Sequence, residues 1–486
     1  MRRTLFRRAL KVMRDVEEAT EVQSTLRSMP YKQRLNFLGA LHDDVMRHEA
    51  HIMEANRWDC DAFAQQQHSA VSTRPCVGEA ASLSSSSSPS LLSSASLMHG
   101  APALLDGRSQ GLPYRRQRIG THHELSPLHI KKLLTGIEGL MQLPDPIAPP
   151  TGDVAVTRSS CVSRAVSVRD VPVPLGLVGI LARNRPRVTL DAVAMCIQSG
   201  NAVLIDGGAS VLHTNRAMMA SVRRSLVAAD IPTAAVVFVE PNGSEHDATA
   251  KWLEASDSVD LGIVCGDARL YRFACQHATI PLIKAAGRAC SLYVDKSADY
   301  ETALGVVLNA KFQRPNATNA IHTLILHEAY PRFHELLQAL KSRGVLLLGD
   351  AAAEALAPSC IDELASEEVY KGLTEGLLDF HRVLCVKTVR DVKSAVYFLN
   401  RFGSKQSDGI IATDEDVIRE YSCRVDTAVA LVNASTRLSS GRALGRGTDL
   451  AIATSKVHSR GPFTLSALTT RKIVVRCAEP GGALRL

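Results

Sequence analysis

The first ordered stretch of the chain carries apolar residues at helical spacing. Leu35, Leu38, Leu41, Val45 and Met46 share one face and predict a helix from Tyr31 to about Asp59. The periodicity then vanishes from about Gln65 to His123. Within that interval Ser82–Ser96 reads SLSSSSSPSLLSSAS, which holds too little apolar surface to offset the entropy of ordering, and it is read as a disordered insertion. Its basic end, Arg115, Arg116 and Arg118, reads as solvated linker or as a docking site. Order resumes at Ser126-Pro127, an N-cap with a proline in the first turn. Ile130, Leu133, Leu134, Ile137, Leu140 and Met141 then mark one buried face before Pro144. Val162, Val166, Val168, Val171 and Val173 alternate loosely, as an exposed strand or hairpin does, and such arms often pair with another subunit.

The middle of the chain alternates short apolar strands with helices. Leu175–Ala182, Ala202–Asp206 and Val236–Glu240 read as strands; about Val188–Ser199 and Asn215–Ala228 read as helices. This alternation implies a parallel sheet covered on both faces, an α/β fold. In such sheets ligands bind at the carboxyl ends of the strands, where Arg185-Pro186 and Gly207-Gly208 fall.

Composition adds bounds. At 486 residues the chain suggests about three domains, and 45% apolar with 22% charged residues is that of a globular protein. With aromatics at only 5%, the core rests on Leu, Val, Ile and Ala, as in helix-covered parallel sheets. A net charge of +7 suits anionic metabolites or solubility and argues against a nucleic-acid partner. The 11 cysteines form no C-x-x-C pair, which speaks against structural zinc and a disulfide framework and for a reducing, cytoplasmic compartment. No apolar run approaches the roughly 18 residues of a membrane span. The first 14 residues carry five Arg and one Lys, and read as an exposed basic helix or a mitochondrial presequence.

Eight blocks, in order, carry a more specific signal: PLGLVGI (Pro174–Ile180), RPRVTLDA (Arg185–Ala192), SGNAVLIDGG (Ser199–Gly208), ATIPLI (Ala278–Ile283), NAKFQRP (Asn309–Pro315), VNASTR (Val432–Arg437), SKVHSRGP (Ser455–Pro462) and ALTT (Ala467–Thr470). Through these the chain resembles the γ-glutamyl phosphate reductase (glutamate-5-semialdehyde dehydrogenase) branch of the aldehyde dehydrogenase superfamily. The similarity runs from about residue 16 to 475 apart from the insertion.

The resemblance implies an aldehyde dehydrogenase-like fold: a parallel, doubly wound cofactor domain, a second α/β catalytic domain and a small β oligomerisation arm. The expected division is N-terminal helices over 1–64, the Ser-rich insertion over 65–123, a helix of the cofactor domain over 124–150, the arm over 151–174, the cofactor-binding-like domain over 175–292, the catalytic-like domain over 293–430, and a C-terminal substrate-loop segment with the second arm strand over 431–486. It also implies reduction of L-glutamate 5-phosphate to the semialdehyde with NADPH in proline biosynthesis. In that chemistry a cysteine thiolate displaces phosphate, and the resulting thioester accepts hydride.

The family's cysteine lies three positions beyond the proline of the NAKFQRP block, and here that position is Thr318, followed by Asn319. A hydroxyl is far less acidic than a thiol, needs an adjacent base, and would leave an ordinary ester. Cys290 and Cys265, in blocks the family places near the cofactor, are the alternative nucleophiles, although buried cysteines are usually inert. The expected cofactor side is Arg185, Pro186, Gly207, Gly208, Gly266 and Asp449, in degenerate form. Asp206 and Ala209 stand where the family has arginine and lysine, which favours NAD over NADP, or no nucleotide. Asp267 is expected to cap its own helix and repel phosphate there. The expected substrate side is Lys311, Gln313, Arg314, Asn433, Ser435, Thr436, Arg437, Lys456, His458 and Arg460, although Asn and Thr in such loops often serve the backbone and His458 reads more readily as structural.

Three readings follow. One is an active reductase on glutamyl phosphate or glutamate semialdehyde. The favoured one is a pseudoenzyme with impaired or lost turnover, assembled as a homo-oligomer or with an active paralogue. The third is an unrelated binding protein that uses the basic ends and the serine tract.

Overall fold

A computed structural model describes residues 2–72, 124–149, 166–240, 245–285, 289–315, 317–374 and 382–477. The serine-rich stretch and the basic end after it lie outside these residues. Five helices come first: α1 (Arg2–Glu21), α2 (Gln23–Ser28), α3 (Tyr31–Arg47), α4 (Glu49–Ser72) and α5 (Pro127–Met141). The single helix expected from Tyr31 to Asp59 is therefore two, parted at His48, whose amide closes α3 on the Asp44 carbonyl. Leu38, Leu41 and Val45 are buried as expected, whereas Met46 is 52% exposed. α5 begins as Ser126-Pro127 predicts, with Ile130, Leu133, Ile137 and Leu140 buried.

β1 (Val166–Pro174) is followed by the alternating array β2 (Leu177–Leu181), α6 (Pro186–Gln198), β3 (Ala202–Asp206), α7 (Leu212–Ala228), β4 (Val236–Phe238), α8 (Glu245–Leu253), β5 (Leu261–Val264), α9 (Ala268–His277) and β6 (Leu282–Lys284). The five strands form a wholly parallel sheet in the order β4-β3-β2-β5-β6. Every residue of β2, β3 and β5 is buried, the mark of strands covered on both faces. Gly179 in β2 is required by packing, because a Cβ there would meet the Trp252 ring at 2.4 Å. The strand order reverses between β2 and β5, so their carboxyl ends open a crevice.

A second array follows: β7 (Cys290–Val294), α10 (Tyr300–Phe312), β8 (Ile321–His327), α11 (Phe333–Lys341), β9 (Leu346–Gly349), α12 (Ala351–Leu356), β10 (Glu363–Leu364), α13 (Glu367–Thr374), β11 (Val383–Val389), α14 (Val392–Phe402), β12 (Ser407–Ile411), α15 (Glu415–Arg424) and β13 (Val429–Val432). Its seven strands are parallel, in the order β10-β9-β11-β8-β7-β12-β13. The chain ends in β14 (Ile452–Ala453), β15 (Gly461–Pro462) and β16 (Thr469–Cys477). β16 pairs antiparallel with β1 over nine residues, Val166 opposite Cys477 and Pro174 opposite Thr469. The expected arm is thus a ribbon whose second strand comes from the far end of the chain; Val162, at the start of the expected strand, lies outside the described residues.

Buried polar pins tie the first helices to the five-stranded sheet. The Arg34 guanidinium, 1% exposed, donates to the Gln198 carbonyl at 2.6 Å and pairs with Asp145 at 2.8 Å. Removing one partner would leave the other charge or carbonyl buried and unpaired, a far larger cost than the net gain of the bond. Among the described residues no helix is long and apolar enough to cross a membrane.

Candidate active site

A cavity of about 760 Å³ opens between the two arrays. Its walls come from the start of α5 (Ser126, His129, Lys132), the turn from β2 into α6 (Arg185, Arg187, Asp191), the loop from α10 to β8 (Arg314, Thr318, Asn319), and the C-terminal segment (Arg437, Arg442, Thr448, Asp449). Of the residues expected from sequence, the structure brings Arg185, Arg314, Thr318, Asn319, Arg437 and Asp449 onto this wall.

The Thr318 loop is held from behind. Thr436 donates from Oγ1 to the Asn319 carbonyl at 2.7 Å, and Asn319 donates from Nδ2 to Ser439 Oγ at 3.3 Å. Ser435 caps the short turn that follows by accepting from the Arg437 amide, and Gln313 accepts from Arg437 Nε at 3.1 Å. Asn319 and Thr436 thus position the loop, while Gln313 aims Arg437. Cys290 lies directly behind the loop, donating from Sγ to the Thr318 carbonyl at 3.6 Å. Burial and the nearby Asp408 push its thiol well above the usual range, and burial pushes Cys265 up to about 11. Both alternative nucleophiles are therefore enclosed, protonated thiols.

Other expected substrate residues serve the scaffold. Lys311, 1% exposed, donates from Nζ to the carbonyls of Ile321 and Val383 at 3.2 and 2.7 Å, pinning the starts of β8 and β11 beneath the loop. Asn433, at a positive φ of 51°, exchanges side-chain hydrogen bonds with the Ala412 backbone. Lys456 and Arg460 pair with Asp426, which Lys405 also joins, and the three cations hold that carboxyl far below its ordinary range. His458 is exposed, with Nε2 2.8 Å from the Ala467 carbonyl.

The nicotinamide nucleotide implied by the resemblance meets a mixed fit at the strand ends. Pro186 opens α6, and Gly208 has a φ of 77° that suits glycine. The room beside Gly207 is taken by Asn215 at 2.0 Å, that beside Gly208 by Arg183 at 3.1 Å, and that beside Gly266 by Leu270 at 2.5 Å. These glycines thus answer to internal packing. Asp267 caps α9 as expected, accepting from the Leu270 amide at 2.9 Å, so a carboxylate stands at the helix end where a phosphate would dock. The reading of Asp206 needs correction. Its carboxylate turns into the core, 4% exposed, and accepts from Thr249 Oγ1 and Trp252 Nε1. It faces no cleft and cannot set NAD against NADP by repulsion. The phosphate side of a nucleotide therefore lacks a cradle of the expected kind.

The remaining wall residues were not singled out from sequence. His129 lies in the first turn of α5, with Nδ1 3.1 Å from the Ser126 amide and 3.0 Å from Ser126 Oγ, and Nε2 3.2 Å from Arg314 Nη2. Burial and then Arg187, Arg314 and Lys132 push its pKa down to about 4. Arg187 is pushed down to about 10 by burial, Arg314 and Arg185, and Lys132 is lowered by burial and four arginines. At the other end Asp191 is raised to about 7 by burial and by Asp449, itself raised to about 6, while Arg442 and Thr448 oppose the shift of Asp191. The Arg187–Asp191 spacing at the start of α6 was the one available signal, since i and i+4 share a helix face.

Two doubly covered parallel sheets with a cavity between them define an aldehyde dehydrogenase-like α/β protein. In fold the chain matches the γ-glutamyl phosphate reductase of Thermotoga maritima (TM-score 0.75, 23% identity, 96% of this chain and 98% of that one) and an acetylating aldehyde dehydrogenase of Geobacillus thermoglucosidasius (TM-score 0.66, 13% identity, 99% and 100%). In sequence it is 37% identical to the γ-glutamyl phosphate reductase of Geobacillus thermodenitrificans over 372 residues, 76% of this chain and 85% of the relative. The chain belongs to the γ-glutamyl phosphate reductase family. No family model matches it.

Proposed function

We propose that this chain keeps the substrate pocket of a γ-glutamyl phosphate reductase, for glutamyl phosphate or glutamate semialdehyde in proline biosynthesis, but that its turnover is impaired or lost. The observation that carries the reading is Thr318 on the cavity wall, at the nucleophile's position in the family. Acyl transfer to a hydroxyl needs a base to take its proton. The Thr318 hydroxyl has no hydrogen-bond partner among the described residues. His129 offers no free lone pair to it, since one ring nitrogen faces Ser126 and the other Arg314. Any ester formed would also resist hydride more than a thioester.

A role as a non-catalytic companion, paired with itself or with an active paralogue through the β1–β16 ribbon, is favoured by the exposure of Ile473 and Val475 at 66% and 60%. The test is direct. Purified protein is given glutamate-5-semialdehyde, phosphate and either NAD or NADP, and nicotinamide absorbance is followed. Background rates are expected with both nucleotides. Turnover that disappears in Thr318→Ala would overturn the reading.

A further inference from the structure

The start of α5 presents a donor pair that the scaffold itself cannot satisfy. The Ser126 amide, 3.1 Å from His129 Nδ1, can only donate, and so can the Arg314 guanidinium, 3.2 Å from Nε2. A neutral imidazole has one lone pair to offer, so no protonation state of the ring accepts from both. The Ser126 amide is fixed at a helix start, whereas Arg314 sits on a long, jointed side chain. The Ser126 hydroxyl, 3.0 Å from the same Nδ1, already accepts from the His129 amide; with Nδ1 answering the Ser126 amide, the ring carries its proton on Nε2, which then faces the Arg314 N–H with no acceptor between them. Arg187 and Lys132 act on the same ring, and Arg187, Arg437 and Arg442 act on Lys132, so this end of the cavity concentrates positive charge. Three acids share the wall: Asp191 and Asp449 interact with Arg442, and with Thr448 in the case of Asp191, while Glu124 lines the cavity two residues before Ser126, so the cations at this end outnumber the carboxylate beside them.

We infer that His129 Nε2–H and the Arg314 guanidinium are the converging donors of a cradle for a phosphoryl group, with Arg187, Lys132 and Arg437 supplying further charge. An anionic oxygen placed against the two donors accepts from both and relieves the repulsion among the cations; charge-assisted bonds of this kind are short and strong. The inference rests on the reading that the substrate pocket survives, and it names the part of the substrate that this end of the pocket holds. The phosphoryl group is the substrate's own, or inorganic phosphate in its place. A nucleotide phosphate is the competing source.

Calorimetric titration of the full chain with inorganic phosphate at low salt tests this. Wild-type protein is expected to bind phosphate. Arg314→Gln and His129→Gln are each expected to weaken binding by about tenfold or more, the size of one lost bond to a charged group. Glutamine at position 129 can still return a hydrogen bond to the Ser126 amide as in a capping box, so α5 keeps its start, and unchanged melting of both variants confirms the fold. Failure of wild type to bind phosphate, or equal binding by both variants, would overturn the cradle. Displacement of phosphate by NADP but not by NAD would assign the site to the nucleotide and also overturn it. The two proposals fail separately: turnover through Thr318 with phosphate bound removes only the claim of lost catalysis, and background turnover without phosphate binding removes only the cradle.

Discussion

Thr318 carries the chemistry in question, and its surroundings predict what a sulfur atom would do there. A thiol on this wall shares the cavity with Arg314, Arg437 and Lys132, cations that lower a thiol's pKa. Thr318→Cys is expected to be alkylated by iodoacetamide well before buried Cys290, read by peptide mass spectrometry, and to accept an acyl group from an acyl phosphate. Steady oxidation of NADPH is expected to stay at background in this variant, because Asp267 occupies the start of α9 and Ala209 supplies no cation. Vigorous NADPH turnover by Thr318→Cys would show that the nucleophile alone was missing. Asp191 gives a second prediction at this scale. Its carboxyl is raised from 3.8 to about 7, so the folded state holds a proton that the unfolded chain releases. That contribution to stability is complete below about pH 4 and is lost as pH rises toward 7. Asp191→Asn should therefore unfold later than wild type at about pH 8, by about 1 kcal/mol or more for a partly buried group on a cavity wall, with the difference closing near pH 4 in urea titrations.

At the level of elements, buried pins decide how firmly the loop is held. Lys311→Ala would leave the Ile321 and Val383 carbonyls without their donor and open a void, and is expected to cost about 2–4 kcal/mol in chemical denaturation. A change within 0.5 kcal/mol would show that water replaces the ammonium without strain. The elements themselves were largely legible. Ala202–Asp206 is a strand with the bounds that its apolar run and the following glycines suggest, and Ser126-Pro127 opens α5. The split between α3 and α4 was not, because it falls at His48 with neither glycine nor proline to mark it. The alternation along β1 announces its faces but not the strand it joins; only the resemblance set the second arm strand in the last segment, where β16 pairs with it. Asp206 was misread because a charged residue at a strand end looks like a ligand group until Thr249 and Trp252 are seen to enclose it.

For the molecule as a whole, the site was half legible. Thr318, Arg314 and Arg437 stood in recognisable blocks, whereas His129 and Lys132 lay on a helix read only for its apolar stripe, and nothing local brings that helix to the α10–β8 loop. The ribbon makes the corresponding prediction about assembly. A two-stranded antiparallel pair is marginal alone in water, and this one exposes Ile473, Val474 and Val475. Ile473→Asp combined with Val475→Asp is expected to lower the sedimenting mass, and a wild-type protein that already sediments as a monomer would refute the arm's role. The same ribbon bears on biosynthesis. Its two strands are separated by more than half the chain, so β1 leaves the ribosome long before β16 exists. Until the last segment is made, Val166–Pro174 waits with its amide edge bare, and a message truncated before Thr469 would yield a polypeptide with an orphan sticky strand. Such a fragment is a ready client for chaperones and proteases, and a nonsense mutation near the 3′ end would do its damage through the middle of the sequence.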